Sequence, residues 1–373
     1  MLHPCSNTAN TRRDKERVTA MADWSEIPED LVRAIADPAG AAKDFLPFPV
    51  EENREASELP SLPWLMLFPK RDDFHYIPFY SLHNKLYDVA LPAETNNPTR
   101  CWGSPSGWII AHGGDTLIRL INPLTQLEIP FPLLPPDKSH FHKARVFERP
   151  NATHSSEILV VIIFCDRFTD FRGGVGIAGP GDEGWTLLED QEIDRLEDLI
   201  CFEDRVFGVR TDGTLVLCEV DGPKPKATNF APPPRKVSVT FDMFNLIESE
   251  GDLLMVLAVE YKRQAKSFEV YKFDMETKLW TQLKDLGNRA LFVSDTNYSM
   301  SVTISDGVRW KSNCIYCTGS NRYVRLEHGQ CLMGMHEIGQ TICKFDMREK
   351  RVEPDYLYAD KLWSPFWLKP SYS

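Results

Sequence analysis

The sequence predicts an all-β fold, because its apolar runs are short, they are separated by tight-turn residues, and this pattern continues from Leu62 almost to the C-terminus. Residues 101–132 show the pattern in its clearest form. Gly and Asp at positions 113–115 can supply the positive φ angles that hairpin turns require. The stretch therefore predicts a β-meander of three strands, with apolar runs at Trp108–His112, Thr116–Asn122 and the segment that ends at Phe131.

Composition limits the class of protein. The 373 residues, of which 42% are hydrophobic, can bury a large core in one big domain or two ordinary ones. A formal net charge of -12 argues against binding to nucleic acid or to anionic membranes, since both depend on clustered Lys and Arg. The longest apolar run, Ile158–Cys165, is too short to span a bilayer. We therefore expect a soluble globular protein with neither nucleic acid nor membrane as a partner.

The cysteines and residues 1–22 indicate in which cellular compartment the protein should occur. The nine cysteines mostly lie inside apolar runs and follow no secretory signal, so we expect reduced thiols in a cytoplasmic or nuclear protein. Residues 1–22 lack the apolar core of a signal peptide, and we predict a disordered leader. Their Arg, Ser and Thr residues leave an organellar targeting signal open, although Asp14 and Glu16 argue against it.

Residues 23–37 predict one short amphipathic helix. Ser25 suits the N-cap position and Pro28 suits the first turn. The helix should end at Asp37, because the residue before a proline avoids the α region. The simplest interpretation is a helix that packs on its own domain through one apolar face, formed by Ile27, Leu31 and Ile35. The Pro, Ala and Glu residues that follow, up to position 60, predict a linker.

Beyond the linker, three segments share one plan, in which an apolar strand ends in Asn or Asp and a four-residue turn leads to a returning strand. We predict that the side chains of Asn122, Asp274 and Asp346 accept hydrogen bonds from amides of their own turns. Further turns are predicted at Glu203-Asp204, Thr211–Gly213 and Glu250–Asp252.

A meander unit that repeats at about 40 to 50 residues is typical of a β-propeller, and residues 61–373 would form about six or seven blades. The C-terminal segment 363–373 could close the ring by pairing near Leu62–Leu67, which would remove open edge strands. Wide tryptophan side chains should fill the wedges between blades. Two stacked sheets remain the structural alternative.

Two motifs associated with catalysis lack the required context. Gly174–Gly179 matches the GxGxxG pattern of dinucleotide binding, but Pro180-Gly181 stands where a helix would have to begin. We interpret it as a glycine-rich strand and turn. Gly103–Gly107 resembles a nucleophile elbow, yet its central residue is Pro105. We predict no catalytic residue and no cofactor.

Candidate metal ligands are equally isolated. Cys314 and Cys317 have zinc-ligand spacing without a second pair, and residues three apart in a strand point to opposite faces, so we predict core packing. His140 and His142 could share a strand face, but their position after Pro135-Pro136 favours a solvated loop. No metal is therefore predicted.

The acidic run Glu189–Asp198 contains six acids in ten residues, and we interpret it as a solvated connector. A pair of carboxylates from this run could instead serve glycoside chemistry. This keeps open an alternative function, a propeller-fold hydrolase that acts on a small molecule or sugar.

The helical segment Trp24–Ala36 resembles the first helix of an F-box, the module that docks on the Skp adaptor of ubiquitin ligases. An F-box continues through two more helices, whereas residues 39–60 differ from that pattern, so the resemblance is to a truncated F-box within residues 23–60. It implies a Skp-type adaptor as partner. The residues that would contact the adaptor are Trp24, Ile27, Pro28, Leu31 and Ile35.

A series of short motifs runs in order through residues 61–370. It consists of Leu62–Leu65, Phe79–Leu82, Cys101–Ser104, Gly107-Trp108, Leu120–Pro123, Trp185, Phe207–Gly213, Phe273-Asp274, Trp280, Ala290–Phe292 and Asn313–Tyr316. With these motifs, the segment resembles the KIB-type β-propeller family of plant F-box proteins. The resemblance implies a non-catalytic substrate receptor of a Skp-cullin-F-box ubiquitin ligase, or a degenerate relative that binds the same clients without recruiting the ligase. It does not identify the client protein.

Overall fold

The computed structural model describes twenty segments of the chain, all within the compact unit Glu51–Ser373. The predicted leader (1–22) and F-box-like segment (23–60) lie outside them. The described residues are 63–66, 76–80, 86–90, 98–113, 117–123, 125–135, 141–148, 158–165, 173–188, 193, 196–219, 225–236, 242–261, 265–294, 298–305, 310–319, 324–327, 330–333, 341–355 and 366–369.

Within these residues the strands form six sheets of four or five strands, together with one separate hairpin. The first sheet contains β1 (Trp64–Met66), β2 (Tyr76–Tyr80), β3 (Leu86–Ala90) and the C-terminal β27 (Phe366–Leu368). The second contains β4 (Pro98–Gly103), β5 (Ile109–Gly113), β6 (Ile118–Ile121) and β7 (Glu128–Pro130). The third contains β8 (Phe141–Glu148), β9 (Ile158–Cys165), β10 (Gly173–Ala178) and β11 (Thr186–Leu188).

The remaining sheets follow in chain order. The fourth contains β12 (Leu196–Phe202), β13 (Arg205–Arg210), β14 (Leu215–Glu219) and β15 (Lys226–Ala231). The fifth contains β16 (Asp242–Ser249), β17 (Asp252–Tyr261), β18 (Ala265–Asp274) and β19 (Leu279–Leu283). The sixth contains β20 (Arg289–Ser294), β21 (Met300–Thr303), β22 (Cys314–Gly319), β25 (Thr341–Asp346) and β26 (Arg351–Asp355), and the hairpin is β23 (Val324–Glu327) with β24 (Gln330–Met333).

One strand at the edge of each sheet contacts its counterpart in the next, and these contacts close a ring. They run from β27 to β4, β8, β12, β16 and β21, and the sixth sheet returns to β27 through β20. Five hydrophobic clusters of described residues each combine side chains from two neighbouring sheets. The predicted β-propeller is therefore confirmed, and the stacked-sheet alternative is wrong.

The C-terminal strand closes the ring as predicted. Strand β27 pairs with β1 in antiparallel register, with Trp64 opposite Leu368. The side chain of Trp367 is fully buried, and its indole Nε1 donates a hydrogen bond of 3.3 Å to the carbonyl oxygen of Val293 in the sixth sheet. On the other side, the amide of Lys369 donates to the carbonyl oxygen of Ser104 next to the second sheet. One short segment thus joins three sheets.

The sixth sheet departs from the simple meander. Strands β20 and β22 are parallel neighbours, and β21 lies on the far side of β20. A parallel pair needs a crossover connection rather than a hairpin, and residues 295–313, which include β21, provide it.

The predicted Asx turns are present in three sheets. The Oδ1 atoms of Asn122, Asp274 and Asp346 each accept a turn amide, from Thr125, Thr277 and Glu349 respectively. The last turn residue has a positive φ in each case, at Gln126, Lys278 and Lys350. The turns predicted at Glu203-Asp204 and Thr211–Gly213 are also confirmed as connections between paired strands. The turn predicted at Glu250–Asp252 is present as Glu250-Gly251, and Asp252 already belongs to β17, where it pairs with Ser249.

Tryptophans pack between sheets as predicted. Trp102 and Trp108 are buried between the second and third sheets. Trp185 and Trp280 make the same kind of contact with the preceding sheet. Nε1 of Trp185 donates to the carbonyl oxygen of Pro132, which follows the second sheet, and Nε1 of Trp280 donates to that of Pro232, which follows the fourth. Among the described residues, no helix has the length and apolar character needed to cross a bilayer.

Candidate functional site

The residues predicted to contact the Skp adaptor, Trp24, Ile27, Pro28, Leu31 and Ile35, lie outside the described residues. Their assignment stays a prediction. The sites that the structure can test are the catalytic and metal motifs and the axis of the ring.

The GxGxxG motif lies in a strand, as interpreted from the sequence. Gly174 belongs to β10, and a Cβ atom on it would lie 2.4 Å from Cζ of Phe164. A Cβ atom on Gly176 would lie 2.9 Å from Cγ1 of Ile162 and 3.3 Å from Cε3 of Trp185. These glycines therefore make room for large side chains that pack across β10.

The pair Cys314 and Cys317 is core packing, as predicted. Both lie in β22, but Cys314 joins the cluster shared with the first sheet and Cys317 joins the cluster shared with the fifth. They therefore point to opposite faces and cannot chelate one ion together. In the part of the chain that the structure describes, no three His, Cys, Asp or Glu residues are placed to hold a metal.

Two sequence interpretations are wrong. His142 lies in strand β8 and not in a loop, whereas His140 is outside the described residues. Asp198, the last residue of the supposed solvated connector, is fully buried in β12. Because the run is acidic, its sequence did not indicate that a buried strand begins within it, at Leu196. The cause of the burial is a set of partners that are distant in sequence.

The axial cluster, which we define as Lys143, Arg145, Asp198 and Tyr298, lies at the inner edge of the ring. Lys143 and Arg145 alternate in β8 with Ala144 and Val146, which pack toward the second sheet. Since side chains alternate along a strand, both cations point toward the other neighbour, the fourth sheet. There they meet Asp198 of β12.

The carboxylate of Asp198 is fully engaged. Its Oδ1 lies 2.5 Å from Nη2 of Arg145 and 3.3 Å from Nζ of Lys143, and it also accepts the amide of Leu199. Its Oδ2 accepts the amide of Leu246 in β16 at 3.0 Å. One carboxylate therefore connects the third, fourth and fifth sheets.

Burial and the neighbouring charges shift the pKa values of three side chains in the cluster. Burial alone would raise the pKa of Asp198, but Arg145, Lys143 and the two amide donors outweigh it and hold that pKa below its ordinary value. Burial lowers the pKa of Lys143, and Arg145 lowers it further, although Asp198 and Glu197 act in the opposite direction. Burial also raises the pKa of Tyr298, whose ring centroid lies 5.5 Å from Cζ of Arg145. The phenol therefore contributes no compensating charge.

Polar contacts continue the cluster toward the sixth sheet. Ser299 donates from its hydroxyl to Oδ1 of the buried Asn245 at 3.0 Å. Further along, the hydroxyls of Ser249 and Ser301 lie 2.7 Å apart, and Nη1 of Arg289 donates to Ser249. Inner strands of the fifth and sixth sheets are thus held by short polar side chains.

The cluster can hold the ring together, but the Asp198 carboxylate is not placed to act as a general base. Asp198 is the one carboxylate among the four members, and all its described contacts are with donors. A general base needs an accepting atom within reach of a substrate proton. Sequence reasoning missed this cluster, and the one local sign of it was the pair of cations at alternating positions of β8, between apolar residues.

A sequence profile described as KIB1-4 beta-propeller matches residues 79–345, which is well over half of the chain. The chain belongs to the KIB1-4 β-propeller family. Three relatives from Arabidopsis thaliana extend the comparison. F-box/kelch-repeat protein KIB1 is 27% identical over 268 residues, covering 69% of this chain and 65% of that protein, slightly less than two thirds of its length.

Two further relatives align over nearly their whole length with this member of the KIB1-4 family. F-box protein At2g17036 is 24% identical and covers 92% of this chain and 94% of its own. F-box protein SKIP23 is 25% identical and covers 92% of this chain and 95% of its own. All three of these relatives are named as F-box proteins.

Proposed function

We propose that this protein is a non-catalytic interaction module that acts as the substrate receptor of a Skp-cullin-F-box ubiquitin ligase. Its propeller would bind a client protein, and residues 23–60 would bind the Skp-type adaptor. The observation that carries the proposal is the alignment of nearly the whole chain with proteins named as F-box proteins.

The packing of the axial cluster supports binding at the surface of the ring. The side chains of Lys143, Arg145 and Asp198 are 2% exposed or less. A small molecule at the level of this cluster would have to displace close-packed charges whose partners are already satisfied. A protein client can instead contact the turns and linkers that the rigid sheets hold in place.

The adaptor contact rests on one apolar helix face. Ile27, Leu31 and Ile35 recur at four-residue spacing and would form a stripe that an adaptor groove can cover. Arg33 lies on the other side of the helix, because it is two residues from both Leu31 and Ile35 and each residue is rotated by about 100°. Arg33→Asp therefore introduces the same aspartate away from the predicted contact face.

The test is co-purification of the full chain with a Skp-type adaptor. Wild type and Arg33→Asp should retain the adaptor, whereas Leu31→Asp should lose at least about ten-fold in affinity, since a buried charge at an apolar interface is costly. The melting temperature of the propeller should be the same in all three. Failure of the wild-type chain to retain any adaptor would rule out ligase recruitment. Capture of a client by such a chain would then support the degenerate relative that binds clients alone.

A further inference from the structure

Cys317 and Cys343 face each other across two neighbouring strands of the sixth sheet. Cys317 in β22 is the direct antiparallel partner of Cys343 in β25. Directly opposed residues place their side chains on the same face, with Cα atoms about 4.5 to 5.5 Å apart. Disulfides span Cα distances of about 4.4 to 6.8 Å, so the pairing lies within their range.

The two thiols differ in their access to solvent. Both are reduced, and both contribute to the hydrophobic cluster between the fifth and sixth sheets. Cys317 is 2% exposed, whereas Cys343 is only partly buried. Since thiol exchange requires access to the attacking sulfur, Cys343 is the thiol that an oxidant can reach first.

We propose that Cys317 and Cys343 are a reversible modification site that forms an intramolecular disulfide by exchange with a low-molecular-weight disulfide such as oxidised glutathione. The Cys343 thiolate attacks the reagent, which forms a mixed disulfide and releases one glutathione thiolate. The Cys317 thiolate then attacks Sγ of Cys343 and releases the second. The two cysteines lose two electrons and two protons, and the oxidised glutathione gains them as two thiols.

The crosslink would act on an insertion of the sixth sheet. The chain between β22 and β25 contains the separate hairpin β23 and β24. Cys317 lies near the end of β22 and Cys343 near the start of β25, so the disulfide joins the two strands where this insertion leaves the sheet. Closing that loop restricts the unfolded chain and should raise the stability of the oxidised protein.

Cys314 offers a matched control on the same strand. It is buried in the cluster on the opposite face of β22, and its register partner is Asp346. Its pKa is raised, chiefly by burial. A substitution at Cys314 therefore removes a thiol from β22 without touching the proposed pair.

The test exposes the native full-length protein to glutathione at graded ratios of reduced to oxidised form, followed by alkylation and peptide mapping. We expect a peptide that links Cys317 to Cys343, a mass lower by two hydrogens, and a higher denaturation midpoint after oxidation. Cys314→Ser should give the same three results. Cys343→Ser should give none of them.

A second variant keeps the proposal testable if Cys343→Ser folds poorly. Cys317→Ala should retain one glutathione at Cys343, because the thiol that resolves the mixed disulfide is missing. Absence of the crosslink from the folded wild-type protein, pairing of Cys343 with Cys331 instead, or failure of Cys317→Ala to take up glutathione would each overturn the proposal.

Discussion

Nη2 of Arg145 lies 2.5 Å from Oδ1 of Asp198, and this buried ion pair joins the third sheet to the fourth at the inner edge of the ring. The same carboxylate accepts the Leu246 amide of the fifth sheet. Hydrophobic clusters hold neighbouring sheets together two at a time, whereas Asp198 fixes three of them relative to one another. The closure of the ring therefore depends on specific polar contacts as well as on apolar packing.

Asp198→Asn should destabilise the propeller by about 3 to 5 kcal/mol, because it leaves two buried cations without a carboxylate while keeping the side-chain shape. The free energy of unfolding in urea measures this loss. Asp212→Asn is the control, since Asp212 pairs with Arg210 but its side chain is 44% exposed. That change should cost no more than about 1 kcal/mol. Equal losses in the two variants would contradict the role assigned to Asp198.

Acid should destabilise the propeller by protonating the carboxylate of Asp198. The pKa of Asp198 is lowered in the folded state, so its stabilising contribution is present above its ordinary value of 3.8 and is lost as the pH falls through the folded value. Wild type should therefore lose stability below about pH 4 more steeply than Asp198→Asn does. Urea midpoints between neutral pH and pH 2.5 would show this, and parallel curves for the two proteins would refute it.

Lys143→Met should be neutral or stabilising, in contrast to Asp198→Asn. It removes a buried charge and leaves Arg145 and Asp198 as a balanced pair. Because the folded pKa of Lys143 is lowered from 10.5, the unfolded chain binds more protons between the folded value and 10.5. As the pH rises through this range, Lys143 should therefore increase the free energy of unfolding of the wild type. Lys143→Met should lack this increase. A loss as large as that of Asp198→Asn would show that the lysine is required.

Removal of residues 360–373 should destabilise the whole propeller, because β27 is then missing from the first sheet and β1 becomes an open edge. Trp367→Ala tests the same closure with a single change. It deletes a fully buried side chain that packs on Phe292 and Trp310, and should cost about 3 to 5 kcal/mol. Lys369→Ala is the control, because Lys369 is exposed and its hydrogen bond to Ser104 comes from the backbone amide, which the substitution keeps. An unchanged melting temperature in the truncated protein would reject closure by the C-terminal strand.

Features that act over a few residues could be predicted from the sequence, whereas those that depend on distant partners could not. Asn122, Asp274 and Asp346 shape their own turns, so their role could be predicted from the local pattern. Asp198 is buried because Arg145 meets it from 53 positions away, and its neighbours in sequence are acidic. The parallel pairing of β20 and β22 was also missed, because an apolar run carries no information on strand direction.

Gly174→Ala tests why this position in the GxGxxG motif is glycine. The added methyl group would lie 2.4 Å from Cζ and 2.7 Å from Cε2 of Phe164, so the buried ring would have to move. We expect a loss of about 1 to 3 kcal/mol in the free energy of unfolding.

Gly184→Ala is the matched control, because a Cβ atom there meets nothing within 4 Å, and its effect should stay within about 0.5 kcal/mol. If the motif instead served a dinucleotide, the wild-type chain would bind NAD and Gly174→Ala would weaken that binding. We expect calorimetric titration with NAD to give no heat of binding for either protein, since β10 runs into Pro180-Gly181 rather than into the helix N-terminus that a pyrophosphate requires.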